Sequence, residues 1–254
     1  MWGGFLRGAW FAKNPGANKN SRELFLVGIL VPIIRCPPAL AGLGGSSNYR
    51  LIVEPPHLTF RRDMSLSQDK STLRRAMLAR RAALTEAERR AASTGLLETF
   101  RRERPIGEAA VVSGFWPINE EIDIRPLMAE LARQGCRLAL PVVMGKGQPL
   151  LFRAWKPGDA LEKGVFGTQQ PAARCETLEP DALIVPLLAC DGEGWRLGYG
   201  GGFYDLTLVS LRQRRDVVAV GVGFDSQVVA EVPHGPDDQR VDWLLTDKRA
   251  YAFV

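Results

Sequence analysis

The ten residues Arg196-Leu197-Gly198-Tyr199-Gly200-Gly201-Gly202-Phe203-Tyr204-Asp205 decide how this chain is read. They follow an apolar run over residues 182–188 and precede a helix-like segment over residues 206–211. Four glycines in five positions let the backbone approach a ligand closely and take positive φ. Between a strand and a helix, such a turn presents unpaired N–H groups to a phosphate. Arg196 adds a fixed positive charge, and Asp205 adds a hard oxygen ligand suited to Mg²⁺. The string therefore reads as a site for a nucleoside triphosphate and its metal. Neither common phosphate fingerprint is present: no Lys follows the glycines as a Walker A loop requires. A dinucleotide motif counted from Gly198 meets Phe203 where its third glycine belongs. Arg, two aromatics and Asp interleaved with glycine also differ from linker composition, which favours Ser and Lys.

Outward from this string the pattern is α/β. Asp69 can cap a helix that carries Leu73, Met77, Leu78 and Ala82 on one face. Thr85-Glu86-Ala87-Glu88 is a capping box for a second helix running to about Arg102. Residues 109–115 read as a buried strand, 125–134 as a helix with Gly135 as its C′ residue, 137–143 and 150–155 as strands. Residues 165–171 read as an irregular loop, and 182–188, 217–224 and 243–246 as strands. Alternating strands and helices imply one α/β domain with a mainly parallel sheet flanked by helices in Rossmann-like layers. Ligands of such sheets bind at the strand carboxyl ends. The glycine string and the segment Asn119-Glu120-Glu121-Ile122-Asp123 both follow strands, so both belong to that rim.

Charge and cysteine usage narrow the function classes. The 254 residues carry a net charge of +5. Residues 1–63 hold eight Lys/Arg against three Asp/Glu, whereas residues 64–254 hold 25 of each. The basic character thus vanishes from the α/β part, which argues against a nucleic-acid partner. Arg89-Arg90, Arg101-Arg102 and the arginines over residues 212–215 read as solvated helix faces. Cys36, Cys136, Cys175 and Cys190 have no Cys-x-x-Cys spacing, which argues against a zinc ribbon and a disulfide framework and fits a reducing compartment. With only His57 and His234, a His-based triad is not expected, and the role of His234 stays open between a site residue and a loop residue.

The string resembles the signature of the 5-formyltetrahydrofolate cyclo-ligase (5,10-methenyltetrahydrofolate synthetase) family, close to R-L-G-Y-G-G-G-[FY]-Y-D. Lys70-Ser71-Thr72-Leu73-Arg74 is similar to the family's N-terminal Lys-x-x-x-Arg. Phe115-Trp116-Pro117 with residues 119–123 is similar to its second motif. Val232-Pro233-His234, Asp238-Gln239-Arg240-Val241-Asp242 and Leu245-Thr246 are similar to its C-terminal motif. Asp237 departs from relatives that carry His or Asn there. The resemblance implies an ATP- and Mg²⁺-dependent enzyme that converts 5-formyltetrahydrofolate, polyglutamylated or not, to 5,10-methenyltetrahydrofolate with release of ADP and phosphate. The formyl oxygen is phosphorylated and N10 attacks. It implies a monomer in the cytoplasm, with neither a nucleic-acid nor a membrane partner. The alternative is a non-catalytic nucleotide- or metabolite-binding relative that keeps the fold.

The same resemblance assigns the site. Arg196, Lys70 and Tyr204 form the catalytic set, with core packing the alternative for Tyr204. ATP falls to Lys70, Arg74, Arg196, Leu197, Gly198, Tyr199, Gly200, Gly201, Gly202, Phe203 and Tyr204. The folate falls to Trp116, Glu121, Tyr199, Gly200, Gly201, Gly202 and Phe203, with Trp116 packing on a ring and Glu121 accepting from ring nitrogens; the alternatives are a core aromatic at a strand end for Trp116 and a solvated loop acid for Glu121. Asp205 and Asp238 are the metal carboxylates, a helix N-cap being the alternative for Asp205. Residues 1–63 are expected to be a dispensable extension or to precede the true start at Met64. A targeting signal built on residues 24–34 is a further reading, although this run is too short to span a bilayer.

Overall fold

The structure, a computed structural model, describes residues 56–253. All but the last part of the segment expected as an extension lies outside these residues, as does the run at 24–34. The first helix, α1 (Pro56–Ala82), is already under way at Met64, so Asp69 sits in its interior and is not the cap expected from sequence. Its inward face also differs from the expected one. Met77 and Arg81 are buried and Lys70, Leu73 and Arg74 half-buried, while Leu78 and Ala82 face outward. Helix α2 (Glu86–Glu103) starts at the expected capping box: the Thr85 hydroxyl accepts from the Glu88 N–H and the Glu88 carboxylate accepts from the Thr85 N–H.

The sheet has seven strands. In chain order these are β1 (Val111–Ser113), β2 (Arg137–Val142), β3 (Leu151–Ala154), β6 (Ala182–Pro186), β9 (Val218–Gly223), β10 (Trp243–Thr246) and β11 (Ala250–Ala252). Between them lie two short hairpins, β4 (Glu162–Lys163) with β5 (Gln169–Gln170), and β7 (Ala189–Cys190) with β8 (Arg196–Leu197). The order across the sheet is β11-β10-β9-β6-β1-β2-β3. The five central strands are parallel, and β3 and β11 add antiparallel edges.

Helix α3 (Arg125–Arg133) joins β1 to β2, and helix α4 (Phe203–Arg212) joins the second hairpin to β9. Successive strand residues point to opposite faces, and the core divides accordingly. Leu138, Leu140, Ile184, Val220, Val222 and Leu245 pack with α2 and α3, through Leu96, Phe100, Leu127 and Leu131. Ala139, Leu183, Val185, Ala219 and Leu244 pack on the other face with Leu208 and Leu211 of α4. From β1 the chain moves to β2 on one side, and from β6 to β9 on the other. The carboxyl ends of β1 and β6 are therefore the switch point at which such sheets open a crevice.

Helix α3 ends as the sequence predicts. Gly135 takes φ 94°, its N–H donates to the Ala132 carbonyl and the Cys136 N–H to the Leu131 carbonyl, the paired bonds of a Schellman cap. The loop expected over residues 165–171 is instead the turn and second strand of the β4–β5 hairpin. Edge strand β11 and the β7–β8 hairpin carry too few residues to show a periodicity. The arginines expected as solvated faces include structural ties: Arg212 holds both oxygens of Asp242, whose Oδ2 accepts from the Ala219 N–H of β9.

Helix α2 rests on the end of β10 through Gly95, where an added Cβ would lie 2.3 Å from the Asp247 carbonyl oxygen. Alanine improves helix propensity by roughly 1 kcal/mol, but overpacking against backbone costs about 1–3 kcal/mol. Gly95→Ala is expected to lower the urea midpoint with an unchanged m-value. A higher midpoint would mean that propensity outweighs the clash.

Candidate functional site

A cavity of about 600 Å³ opens at the switch point. Its floor is the strand ends, with Phe115 and Trp116 beyond β1, Pro141 in β2 and Pro186 at the end of β6. The glycine string forms one wall. It does not leave the β6 strand directly, as its sequence context suggested, because the β7–β8 hairpin intervenes and delivers Arg196 and Leu197 into the wall. Gly200 and Gly202 take φ 101° and 67°, and Gly202 is the N-cap of α4. Asp205 is therefore in the first turn of α4 and is not its cap, which corrects the structural alternative raised for it.

The cavity brings together every residue assigned from sequence: Lys70, Arg74, Trp116, Glu121, Arg196 to Phe203, Tyr204, Asp205 and Asp238. Helix α1 supplies the first two. Arg74 Nε donates to the Gly198 carbonyl at 2.9 Å, and its guanidinium lies 3.3 Å from where a Gly200 Cβ would stand. A side chain at Gly200 would thus meet both a disfavoured φ and a cation. Lys70 Nζ lies 2.5 Å from Asp238 Oδ2, which also accepts from the Gly235 N–H at 2.7 Å. Arg196 is buried, pairs with Asp205 Oδ1 at 3.0 Å and donates to the Gln239 carbonyl. Asp205 Oδ1 further accepts from the Gln239 N–H at 3.0 Å. The Lys70–Asp238 ion pair thereby fastens the Gly235–Gln239 loop to α1, and the two backbone bonds of Gln239 fasten it to the Arg196–Asp205 pair of the glycine wall.

Whether these carboxylates suit a metal can be judged from their oxygens. Among the described residues, Asp205 Oδ2 and Asp238 Oδ1 carry no protein hydrogen bond. No three His, Cys, Asp or Glu side chains are grouped tightly enough for an all-protein metal cage among those residues. One free carboxylate oxygen from each of two residues fits Mg²⁺, which keeps several waters and takes its remaining ligands from phosphates.

The cavity also carries aromatic side chains. Trp116 is held edge-on by Trp155, with centroids 6.1 Å apart, and by Arg125, 5.5 Å from its ring centroid. Phe166, at the tip of the β4–β5 hairpin, is 74% exposed at φ 55°, and its ring stands 6.1 Å from that of Phe203. Phe166 is not among the residues expected from sequence, since its segment reads there as an irregular loop. The one available signal was a large apolar residue in a stretch with no strand-like alternation. Glu121 lines the same cavity. Burial pushes its carboxyl up to about 7, against the lowering effects of the Ile118 N–H, the Arg81 charge and the Tyr199 hydroxyl. Burial also lifts the Tyr204 phenol well above its ordinary range, and the nearby Glu121 adds to this. At neutral pH Tyr204 is a hydrogen-bond donor and not a base.

The chain matches the 5-formyltetrahydrofolate cyclo-ligase family over residues 66–247. It is 33% identical to the 5-formyltetrahydrofolate cyclo-ligase of Mycolicibacterium smegmatis, over 72% of this chain and 95% of that protein. Against the enzyme of the same name from Escherichia coli K12 the identity is 34%, over 68% and 98%. The NMR structure of Aquifex aeolicus 5,10-methenyltetrahydrofolate synthetase superposes with a TM-score of 0.62 at 32% identity, covering 72% of this chain and 92% of that one. The 5,10-methenyltetrahydrofolate synthetase of Mycoplasma pneumoniae, at 21% identity and a TM-score of 0.58, shares the fold. This chain belongs to the 5-formyltetrahydrofolate cyclo-ligase family and is an enzyme of that class.

The raised Glu121 carboxyl has a consequence for stability. Its folded value, about 7, lies above the unfolded one, so protonation favours the folded state. The native protein should lose on the order of 3 kcal/mol from this group as pH rises from about 4.5 through 7. Glu121→Gln keeps an acceptor for the Ile118 N–H but does not titrate. Its melting temperature relative to the native chain is therefore expected to rise by several degrees between pH 5 and pH 8. A difference that stays constant with pH would show that Glu121 is not held above its ordinary range.

Proposed function

We propose that this enzyme converts 5-formyltetrahydrofolate and ATP to 5,10-methenyltetrahydrofolate, ADP and phosphate, with Mg²⁺ required. The observation that carries the reading is one cavity whose lining joins two chemistries. Glycine backbone and three cations share it with aromatic rings and a half-buried carboxyl. The family membership of the chain and the names of its relatives supply the substrate.

The chemical problem is a formamide oxygen, which is a poor leaving group. Transfer of the γ-phosphoryl of ATP to that oxygen creates an iminium phosphate. Attack by N10 closes the five-membered ring, and phosphate departs from the same carbon. Phosphoryl transfer asks mainly for positioning and charge neutralisation. Lys70 and Arg74 reach the rim from α1 and are suited to clamp the phosphates, while the loop from Gly198 to Gly202 offers backbone donors. Arg196 is already committed to Asp205 and Gln239, so its guanidinium neutralises charge from a fixed position. Tyr204, held protonated, can donate to an oxygen that gains charge. Asp205 and Asp238 would hold Mg²⁺, which when bound neutralises the triphosphate. Trp116 and Phe203 offer flat surfaces to the pterin and aminobenzoyl rings, and Glu121 accepts from ring N–H groups. We place this chemistry in the cytoplasm, where both substrates are supplied; no described helix is long and apolar enough to cross a membrane.

The test is the absorbance of the methenyl product on mixing protein, 5-formyltetrahydrofolate and Mg·ATP. Product is expected only with all three, and turnover that survives excess EDTA would overturn the metal requirement. Asp205→Asn keeps the acceptor for the Gln239 N–H but loses the charge. It is expected to lower kcat by about 10²-fold or more, in line with the loss of a charge from a transition-state clamp, and to raise the Mg²⁺ concentration needed for half-activity. A normal Mg²⁺ titration of a folded variant would remove Asp205 from the metal set.

A further inference from the structure

Arg81 lies outside every motif that carried the functional reading, yet it is among the most buried large side chains of the protein, at 2% exposure. A buried guanidinium is costly unless its donors are used. Here one nitrogen does most of that work: Nη2 donates to the Asn119 carbonyl at 2.6 Å and to the Tyr199 hydroxyl. The guanidinium carbon also stands 5.6 Å from the Tyr199 ring centroid, and Nε is buried with no partner among the described residues. The two acceptors belong to different loops. Tyr199 is in the glycine wall. Asn119 is in the turn that presents Glu121.

That turn needs holding. Asn119 and Glu120 have φ 45° and 57°, two successive left-handed residues, and the Glu121 N–H donates to the Ile118 carbonyl at 3.0 Å. These are the features of a type I′ turn, a conformation in which glycine would normally sit. A non-glycine residue persists there when its surroundings over-determine it. The Arg81 bond to the Asn119 carbonyl fixes the turn from one side. The Glu121 carboxylate, accepting from the Ile118 N–H at 2.9 Å, fixes it from the other.

We propose that Arg81 is a positioning residue for folate capture: it locks the Glu121 turn and the Tyr199 ring together as one preformed wall of the cavity. This rests on the function proposed above. The backbone of the glycine loop does not depend on Arg81, because Arg74 holds the Gly198 carbonyl independently. Loss of Arg81 should therefore act on folate and spare ATP. The groups facing Glu121 are Arg81 from α1, Tyr199 from the glycine loop and Tyr204 from α4, with the Arg196 charge beside Tyr204. Arg81 is the cation among them whose charge directly favours the carboxylate. Its removal should thus also move the acid limb of the folate kcat/KM profile to higher pH.

The experiment measures KM for each substrate and the pH profile of folate kcat/KM for the native enzyme, Arg81→Met, Arg81→Lys and Tyr199→Phe, each with its melting temperature. Arg81→Met is expected to raise the folate KM at least tenfold, keep the ATP KM within about twofold and shift the acid limb upward. Arg81→Lys, which keeps the charge but reaches fewer acceptors, should restore the acid limb while recovering only part of the folate KM. A folded Arg81→Met variant with native folate KM and an unmoved acid limb overturns the proposal. So does an equal rise in both KM values, which would mark Arg81 as general scaffolding. If Arg81→Met does not fold, Tyr199→Phe decides: a folate KM raised several-fold supports the lock, and one within twofold of native overturns it. Absence of folate turnover by the native enzyme would instead sink the functional reading, and this proposal with it.

Discussion

Three cations on one face of α1 hold the rim of the cavity together. Lys70 ends on the Asp238 carboxylate, Arg74 on the Gly198 carbonyl, and Arg81 on the Asn119 carbonyl and the Tyr199 hydroxyl. These contacts span between 38 and 168 residues of sequence. The loops at the sheet's carboxyl edge satisfy one another only in part, as where the Gln239 N–H meets Asp205, and they still present carbonyls, a carboxylate and a phenol at the same crevice. A helix carrying donors supplies what they lack. Its apolar anchor is small by comparison: Met77 and Leu73 pack on Leu188, Leu197 and Val232 at the β7–β8 hairpin.

The same arrangement sets the charge of the cavity. Lys70 and Arg196 are each paired with a carboxylate, whereas Arg74 ends on a carbonyl and keeps its charge. Under the proposed function, a nucleotide that brings negative charge and Mg²⁺ would exchange partners with Lys70 and Asp238 instead of entering an unpaired cluster. Exchange of this kind costs less than creating a bare cation would, because an unpaired buried charge is the expensive state. Burial raises the Glu121 carboxyl to about 7 and keeps the Tyr204 phenol protonated, so the same cavity also holds groups whose charge is suppressed.

The position of the crevice is a property of the sheet. Parallel strands β1 and β6 are neighbours whose following connections leave in opposite directions, so no crossover covers their carboxyl ends. The hairpin β7–β8 then carries the glycine string away from the β6 end and back over the opening, and the β4–β5 hairpin brings Phe166 to the same place. Edge strands β3 and β11, both antiparallel, complete the sheet without altering this geometry.

By itself the sequence determined the layers and pointed to most residues of the candidate site. Alternation of apolar runs with capped helices was enough for the parallel sheet, because burial on both faces and local capping are written in adjacent residues: the Thr85 box and the Gly135 cap appear as read. The glycine string, Lys70, Arg74, Trp116, Glu121, Asp205 and Asp238 were legible through the resemblance to a family, and all converge on one cavity. Tertiary structure alone decided what lies on the inward face of α1. Apolar periodicity pointed to Leu78 and Ala82, but the helix turns Lys70, Arg74 and Arg81 inward, since the loops opposite it offer acceptors and not apolar surface. No local pattern reports an acceptor brought from 38 or 118 residues away. For the same reason Asp205, which by sequence might have been a cap, is defined by its pairing with Arg196 and Gln239, a relation that exists only once the hairpin, α4 and the C-terminal loop have met.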